Sequence, residues 1–178
     1  MRIEAPIQAN QAASLSKSAL RAYPTLQVGQ KAPGFVLPDA DMDIFNLAEL
    51  TSQKHVVLHF YPRDRSPGGI LQATDFSDHA EQFDELDCEA VFITPDDCPT
   101  HAEFRDEHGL SLRLLSDEDC DVCRLYGAWG MRQIGESLRA GVIRSTFVID
   151  KHGIIREIFR NVVPRGHVAE VLRILQEL

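Results

Sequence analysis

The chain has 178 residues, a formal charge of −9 and a pI near 5.2, with 44% hydrophobic and 25% charged residues. That is enough for one domain with a substantial core, and its acidity argues against generic binding to nucleic acid or an anionic membrane, which clustered lysines and arginines would serve. No apolar run approaches the ~18 residues of a membrane span, and residues 1–25 lack the apolar stretch of a secretory signal, so the sequence reads as cytoplasmic.

Residues 1–25 read as a polar N-terminal arm, with a helix expected from about Ala12 to Ala22, and 26–178 as the domain. Arg2, Lys17 and Arg21 are too sparse to make a strong transit peptide. Phe35-Val36-Leu37-Pro38 predicts a short strand ended by proline, and Met42 to Leu50 a hairpin return followed by a short helix. Val56 to Tyr61 is an apolar run, with His59 within it, of the buried-parallel-strand kind. A helix is expected from about Gly69 to Leu86, with Leu71, Phe76, Ala80 and Phe83 facing the core. Ala90–Thr94 predicts another buried strand. Pro99 and Thr100 then open a helix over His101–His108, which Gly109 stops. Leu112–Leu115 is a third strand, and Ser116-Asp117 an N-cap for a helix bearing Cys120 and Cys123. Ser145–Asp150, a Lys151-His152-Gly153 turn and Ile154–Phe159 form a β-hairpin signal. An amphipathic helix from His167 to Leu178 closes the chain. This order predicts an α/β/α sandwich with the Leu112, Ala90, Val56 and Ser145 strands adjacent in that order.

The segment YPRDRSPGGILQATDF, together with GQKAPGFVLPDAD, TPDDCPTHAEF, LLSDEDC, YGAWG and IRSTFVID before a glycine turn, resembles the peroxiredoxins of the bacterioferritin-comigratory, or PrxQ, type. The resemblance implies a thioredoxin-like α/β fold with a peroxiredoxin-type insertion. It also implies an antioxidant peroxidase of cell redox homeostasis, reduced by a thioredoxin-type partner, without cofactor or metal, and a monomer or weak homodimer. In such enzymes a thiolate attacks the peroxide O–O bond and a second thiol resolves the resulting sulfenic acid. By the family signature, Pro62, Ser66 and Arg144 take the Pro, Thr/Ser and Arg positions. Gly69 stands where the peroxidatic Cys belongs, and Thr74 where many relatives carry the resolving Cys. Ile70 departs as well, so the site differs by more than one residue. A glycine has no nucleophile, and a threonine hydroxyl needs an activating base. Peroxidase activity by the usual route is therefore expected to be absent or impaired.

Two functional readings follow. One is a residual thiol redox role through Cys98, Cys120 or Cys123. The other is a non-catalytic binding or interaction module using Ser66, Arg144 and the first helical turn as a small-anion site, its bland version a relic pocket holding water. A thiol restored at position 69 is expected to have a depressed pKa, given that helix start. Cys123 reads as a core residue or, with Cys120, as a CxxC dithiol on one helix face. Dipole and acidic neighbours pull the Cys120 thiol in opposite directions. Cys98 reads as a redox thiol, alone or with Cys120, or as a loop thiol of no consequence. His101 reads as its base or as a solvated capping residue. Asp96-Asp97 and Asp117-Glu118-Asp119 read as helix N-terminal charges. Neither the lone CxxC nor the His101/His108 spacing fits a zinc site.

Overall fold

Two hydrophobic clusters flank a five-stranded sheet, divided by the alternation of its central strand: Val56, Leu58 and Phe60 face one cluster, Val57 and Tyr61 the other. The computed structural model of the chain describes residues 25–178, so the helix expected at Ala12–Ala22 lies outside the described residues. The elements run β1 (Val36–Pro38), β2 (Ile44–Asn46), α1 (Leu47–Thr51), β3 (His55–Phe60), α2 (Pro67–Asp78), α3 (Ala80–Glu85), β4 (Cys88–Thr94), α4 (Cys98–His108), β5 (Arg113–Ser116), α5 (Asp121–Leu125), β6 (Trp129–Ile134), β7 (Ser137–Val142), β8 (Ser145–Ile149), β9 (Ile155–Arg160) and α6 (His167–Gln176). The large sheet has the order β5-β4-β3-β8-β9. Strands β3, β4 and β5 are parallel, while β8 runs antiparallel to both β3 and β9. This is the expected mixed α/β architecture, with α1 and α5 on one face and α2, α3, α4 and α6 on the other.

Three local expectations are corrected. The helix foreseen over Gly69–Leu86 starts earlier, at Pro67, because Ser66 caps it, and it breaks at His79 (φ −102°, ψ 14°) into α2 and α3. Its inward stripe is Gly69, Gln72, Ala73 and Phe76, whereas Leu71 is exposed. Cys120 is not in the first turn of its helix. It precedes α5 in a left-handed conformation (φ 57°), and Asp117 accepts from the N–H groups of Val122 and Cys123 at 3.2 and 2.9 Å. The β6–β7 ribbon was not foreseen. Its strands pair Arg132 with Arg139 and Gln133 with Leu138, and both its faces are largely exposed.

Candidate active site

The C-terminal end of β3 delivers the chain into the loop 61–66 and then into α2. Ser66 is the N-cap: its hydroxyl oxygen accepts from the Gly69 N–H at 3.0 Å and donates to the Arg63 carbonyl at 3.0 Å. That double role folds the loop back over the first turn. A methyl group placed on Gly69 would lie 2.5 Å from the Arg63 carbonyl oxygen, 2.7 Å from that of Asp64 and 2.9 Å from Ser66 Oγ. Two of those neighbours are backbone, which cannot swing aside as a side-chain tip can. A side chain at position 69 thus has no room unless the loop 61–66 shifts. Gly68 is less firmly constrained, since its methyl would lie 2.6 Å from Arg144 Nη2, a side-chain tip, and 3.1 Å from the Pro164 ring.

Arg144 reaches inward, donating to Gln72 Oε1 at 2.9 Å and to Ser66 Oγ at 3.3 Å. Burial and the nearby charge of Arg132 lower its pKa. Because a guanidinium only donates, the Gln72 atom facing it is the carbonyl oxygen. The same oxygen lies 2.8 Å from His59 Nε2, which therefore carries the hydrogen. His59 Nδ1 is then the acceptor, taking the Thr146 hydroxyl proton at 2.7 Å, and Thr146 Oγ1 accepts in turn from His167 Nε2 at 2.8 Å. Donation thus runs from His167 of α6 through Thr146 and His59 to Gln72 Oε1, on which Arg144 converges from the other side. Burial, the neighbouring His167 and Arg144 hold the His59 pKa down at about 3, so this imidazole stays neutral.

Asp64 fixes the loop from the other side. It is wholly buried, accepts from the Tyr61 hydroxyl, and lies 2.6 Å from His101 Nδ1. Its backbone N–H donates to Asp96 Oδ2 at 2.8 Å. His101 Nε2 donates to the Leu115 carbonyl at 3.0 Å. His101 is therefore neither a solvated cap nor a base for Cys98, but a fully buried clamp on the loop. Asp97 does cap α4, accepting from Thr100 N at 2.9 Å, whereas Asp96 turns back to hold Asp64 and Thr94.

The family model described as the AhpC/TSA family matches residues 28–158. The chain belongs to the AhpC/TSA family. It is 40% identical over 150 residues to a putative peroxiredoxin, bcp, of Helicobacter pylori, covering 84% of this chain and 98% of that one. A putative peroxiredoxin of Mycobacterium tuberculosis is 43% identical over 148 residues, covering 83% and 94%. The crystal structure of peroxidoxin BcpB from Mycobacterium tuberculosis superimposes with a TM-score of 0.76 at 29% identity, covering 86% of this chain and 98% of that one. The relatives are thus peroxiredoxins of the Bcp, or PrxQ, kind.

In this AhpC/TSA chain the sequence-derived site residues are partly gathered. Ser66, Gly69 and Arg144 meet at the start of α2. Pro62 lies half-buried in the same loop, and Thr74 half-buried further along α2. All four cysteines are free thiols. Cys123 is a core residue whose thiol donates to the Ala128 carbonyl at 2.9 Å. Burial pushes the Cys123 and Cys88 thiols well up. Cys120 is also buried and its pKa raised, first by burial and then by Asp117, so the expected helix-dipole depression does not operate. Cys98, the first residue of α4, is half-exposed and lines a cavity of about 390 Å³ with Ser116, Asp117 and Glu118. Burial raises its pKa; Ser116 opposes that and Glu118 adds to it. Sequence reasoning missed Gln72, Asp64, His59, Thr146 and His167. The available signal was a polar residue at an inward-facing position: His59 between Leu58 and Phe60, and Gln72 one turn after Gly69. Among the described residues, no helix is long and apolar enough to cross a membrane.

Proposed function

We propose that this chain is a PrxQ-type peroxiredoxin fold retired from thiol-peroxidase catalysis, acting instead as a non-catalytic interaction module. The observation that carries this reading is the approach of the Arg63 and Asp64 carbonyls to Gly69, at 2.5 and 2.7 Å from where a side chain would begin. A site that had lost only its sulfur would keep an open pocket beside the helix start. Here no side chain fits at position 69 without a shift of the loop, and Arg144 is committed to Gln72 and Ser66. That crowding also weighs against a small-anion site at that spot, leaving the outer surface as the means of binding.

A second reading, residual redox chemistry, is favoured by the half-exposure of Cys98 beside a cavity. Against it stands the raised pKa, because the thiolate is the nucleophile, and burial, then acidic neighbours, disfavour it. One experiment separates the two: peroxide consumption coupled to thioredoxin, thioredoxin reductase and NADPH, with the Cys98→Ser variant in parallel. Turnover indistinguishable from the protein-free control is expected. Peroxide reduction at rates of active relatives, lost in Cys98→Ser, would establish the redox reading instead.

A further inference from the structure

The arginines of this acidic chain divide by location. Arg65, Arg105, Arg113, Arg124, Arg156 and Arg173 each have a carboxylate partner. Arg63, Arg132, Arg139, Arg144, Arg160 and Arg165 have none among the described residues. The second group collects at one end of the sheet. Arg160 is in register with Ser145, itself opposite Phe60 at the end of β3, and Arg63 follows three residues on. The ring of Pro164, next to Arg165, meets the same Gly68 position as the Arg144 guanidinium. Arg132 is near enough to lower the Arg144 pKa, and Arg139 is its cross-strand partner. Like charges placed directly opposite on a ribbon oppose folding. A net charge of −9 leaves carboxylates to spare elsewhere, so composition does not force this segregation.

The same end exposes apolar side chains. Ile134, on the ribbon face that carries Arg132, is 51% exposed, and Val163 is 71% exposed. Beside Val163 lies a groove of about 390 Å³ with Ile158, Phe159 and Val162 in its wall, Arg160 and Arg165 at its rim, and Glu170 as the carboxylate in its lining. Extending the interaction-module reading above, we infer that this end of the molecule docks an acidic peptide segment of a partner protein, with an apolar side chain of that segment in the groove and its carboxylates on Arg63, Arg132, Arg139 and Arg165, since Arg144 and Arg160 are already engaged by Gln72, Ser66 and the Gly127 carbonyl. Charge complementarity sets the sign of the partner, and the groove supplies the pocket for a buried anchor. A single-stranded nucleic acid would instead want exposed aromatic platforms for its bases. No Phe, Tyr or Trp is among the exposed large apolar residues described, and Trp129 is covered by the Arg124 guanidinium at 4.4 Å.

The test is fluorescence anisotropy of the full chain with three labelled probes: a short glutamate-rich peptide with one central Leu-Phe pair, the all-glutamate peptide of equal length, and an oligo-dT strand of equal charge. The mixed peptide is expected to bind most tightly. Arg165→Glu, in an exposed loop, and the double variant Arg132→Glu/Arg139→Glu should each weaken it by about tenfold or more, since like charges across an interface are strongly repulsive. Val163→Asp should weaken it similarly, and Arg173→Glu should leave it unchanged. Equal binding by wild type and Arg165→Glu would overturn the proposal, as would all-glutamate peptide binding as tightly as the mixed one. Tighter binding of oligo-dT would overturn it in favour of nucleic acid. Peroxide turnover is not read here, so activity in the coupled assay would refute the retired-enzyme reading without touching this result.

Discussion

At Gly69 two opposing effects can be weighed. Alanine in a helix is favoured over glycine by about 1 kcal/mol, which on propensity alone makes Gly69→Ala stabilising. The methyl, however, would meet the Arg63 carbonyl at 2.5 Å and the Asp64 carbonyl at 2.7 Å. Overpacking of this kind costs about 1–3 kcal/mol where the neighbours cannot yield. These neighbours are backbone, held by Ser66 Oγ and by the buried Asp64 side chain, so the cost should win. Gly69→Ala is expected to lower stability by about 1 kcal/mol, the net of the two effects, read as a reduced urea midpoint at unchanged m-value. A raised midpoint would mean that the loop is loosely held. The same closeness revises the expectation for Gly69→Cys, whose sulfur needs the loop displaced before any peroxide can reach it.

The loop 61–66 owes its position to partners in other elements. Asp64 gathers the Tyr61 hydroxyl, His101 of α4 and, through its backbone N–H, Asp96. Asp64→Ala would leave Tyr61 Oη and His101 Nδ1 buried without partners, and breaking a buried pair in this way costs about 3–5 kcal/mol. Asp64→Asn can still accept from Tyr61 and keeps a polar amide facing His101 Nδ1, so its cost should be near that of one hydrogen bond, about 1 kcal/mol. Denaturant unfolding of both variants tests this, and equal losses would show that charge rather than hydrogen bonding holds the loop. None of this could be read from the sequence, because the partners lie 37 and 32 residues away. What was legible is what local pattern controls: the apolar strands, their order, the β8–β9 hairpin and the Gly109 stop, which is left-handed at φ 60°. The break at His79 was not legible, since the apolar spacing of Phe76 and Phe83 continues across it. Nor was the place of Cys120, which depends on Asp117 reaching past it to the α5 N–H groups. The β6–β7 ribbon has exposed side chains on both faces, so no burial period marks it.

On the scale of the whole molecule, the chain from Gln72 through His59 and Thr146 to His167 ties α2, β3, β8 and α6 together within one core face. Its polarity makes stability depend on pH. With a pKa of about 3 in the fold and about 6.5 when unfolded, His59 binds its proton only in the unfolded state across the interval between. Its contribution is therefore fully present above pH ~6.5 and is lost as pH falls toward 3, by up to about 1.4 kcal/mol per unit. His167 and His55, both lowered first by burial, act in the same direction. Asp87, Asp97 and Asp150 are held below the usual carboxylate range and lose their share mainly below pH ~4, whereas Asp117, raised by burial, works the other way. Between about pH 6.5 and pH 5 the histidines dominate, and His59 alone should remove about 2 kcal/mol. The variant His59→Phe keeps a ring against Tyr61, Phe76 and Phe92 but has nothing to protonate. It should be less stable than wild type near pH 7, through its lost hydrogen bonds, yet lose distinctly less on going to pH 5. Urea midpoints of both proteins at the two pH values decide the matter, and parallel losses would show that His59 is not the group that titrates.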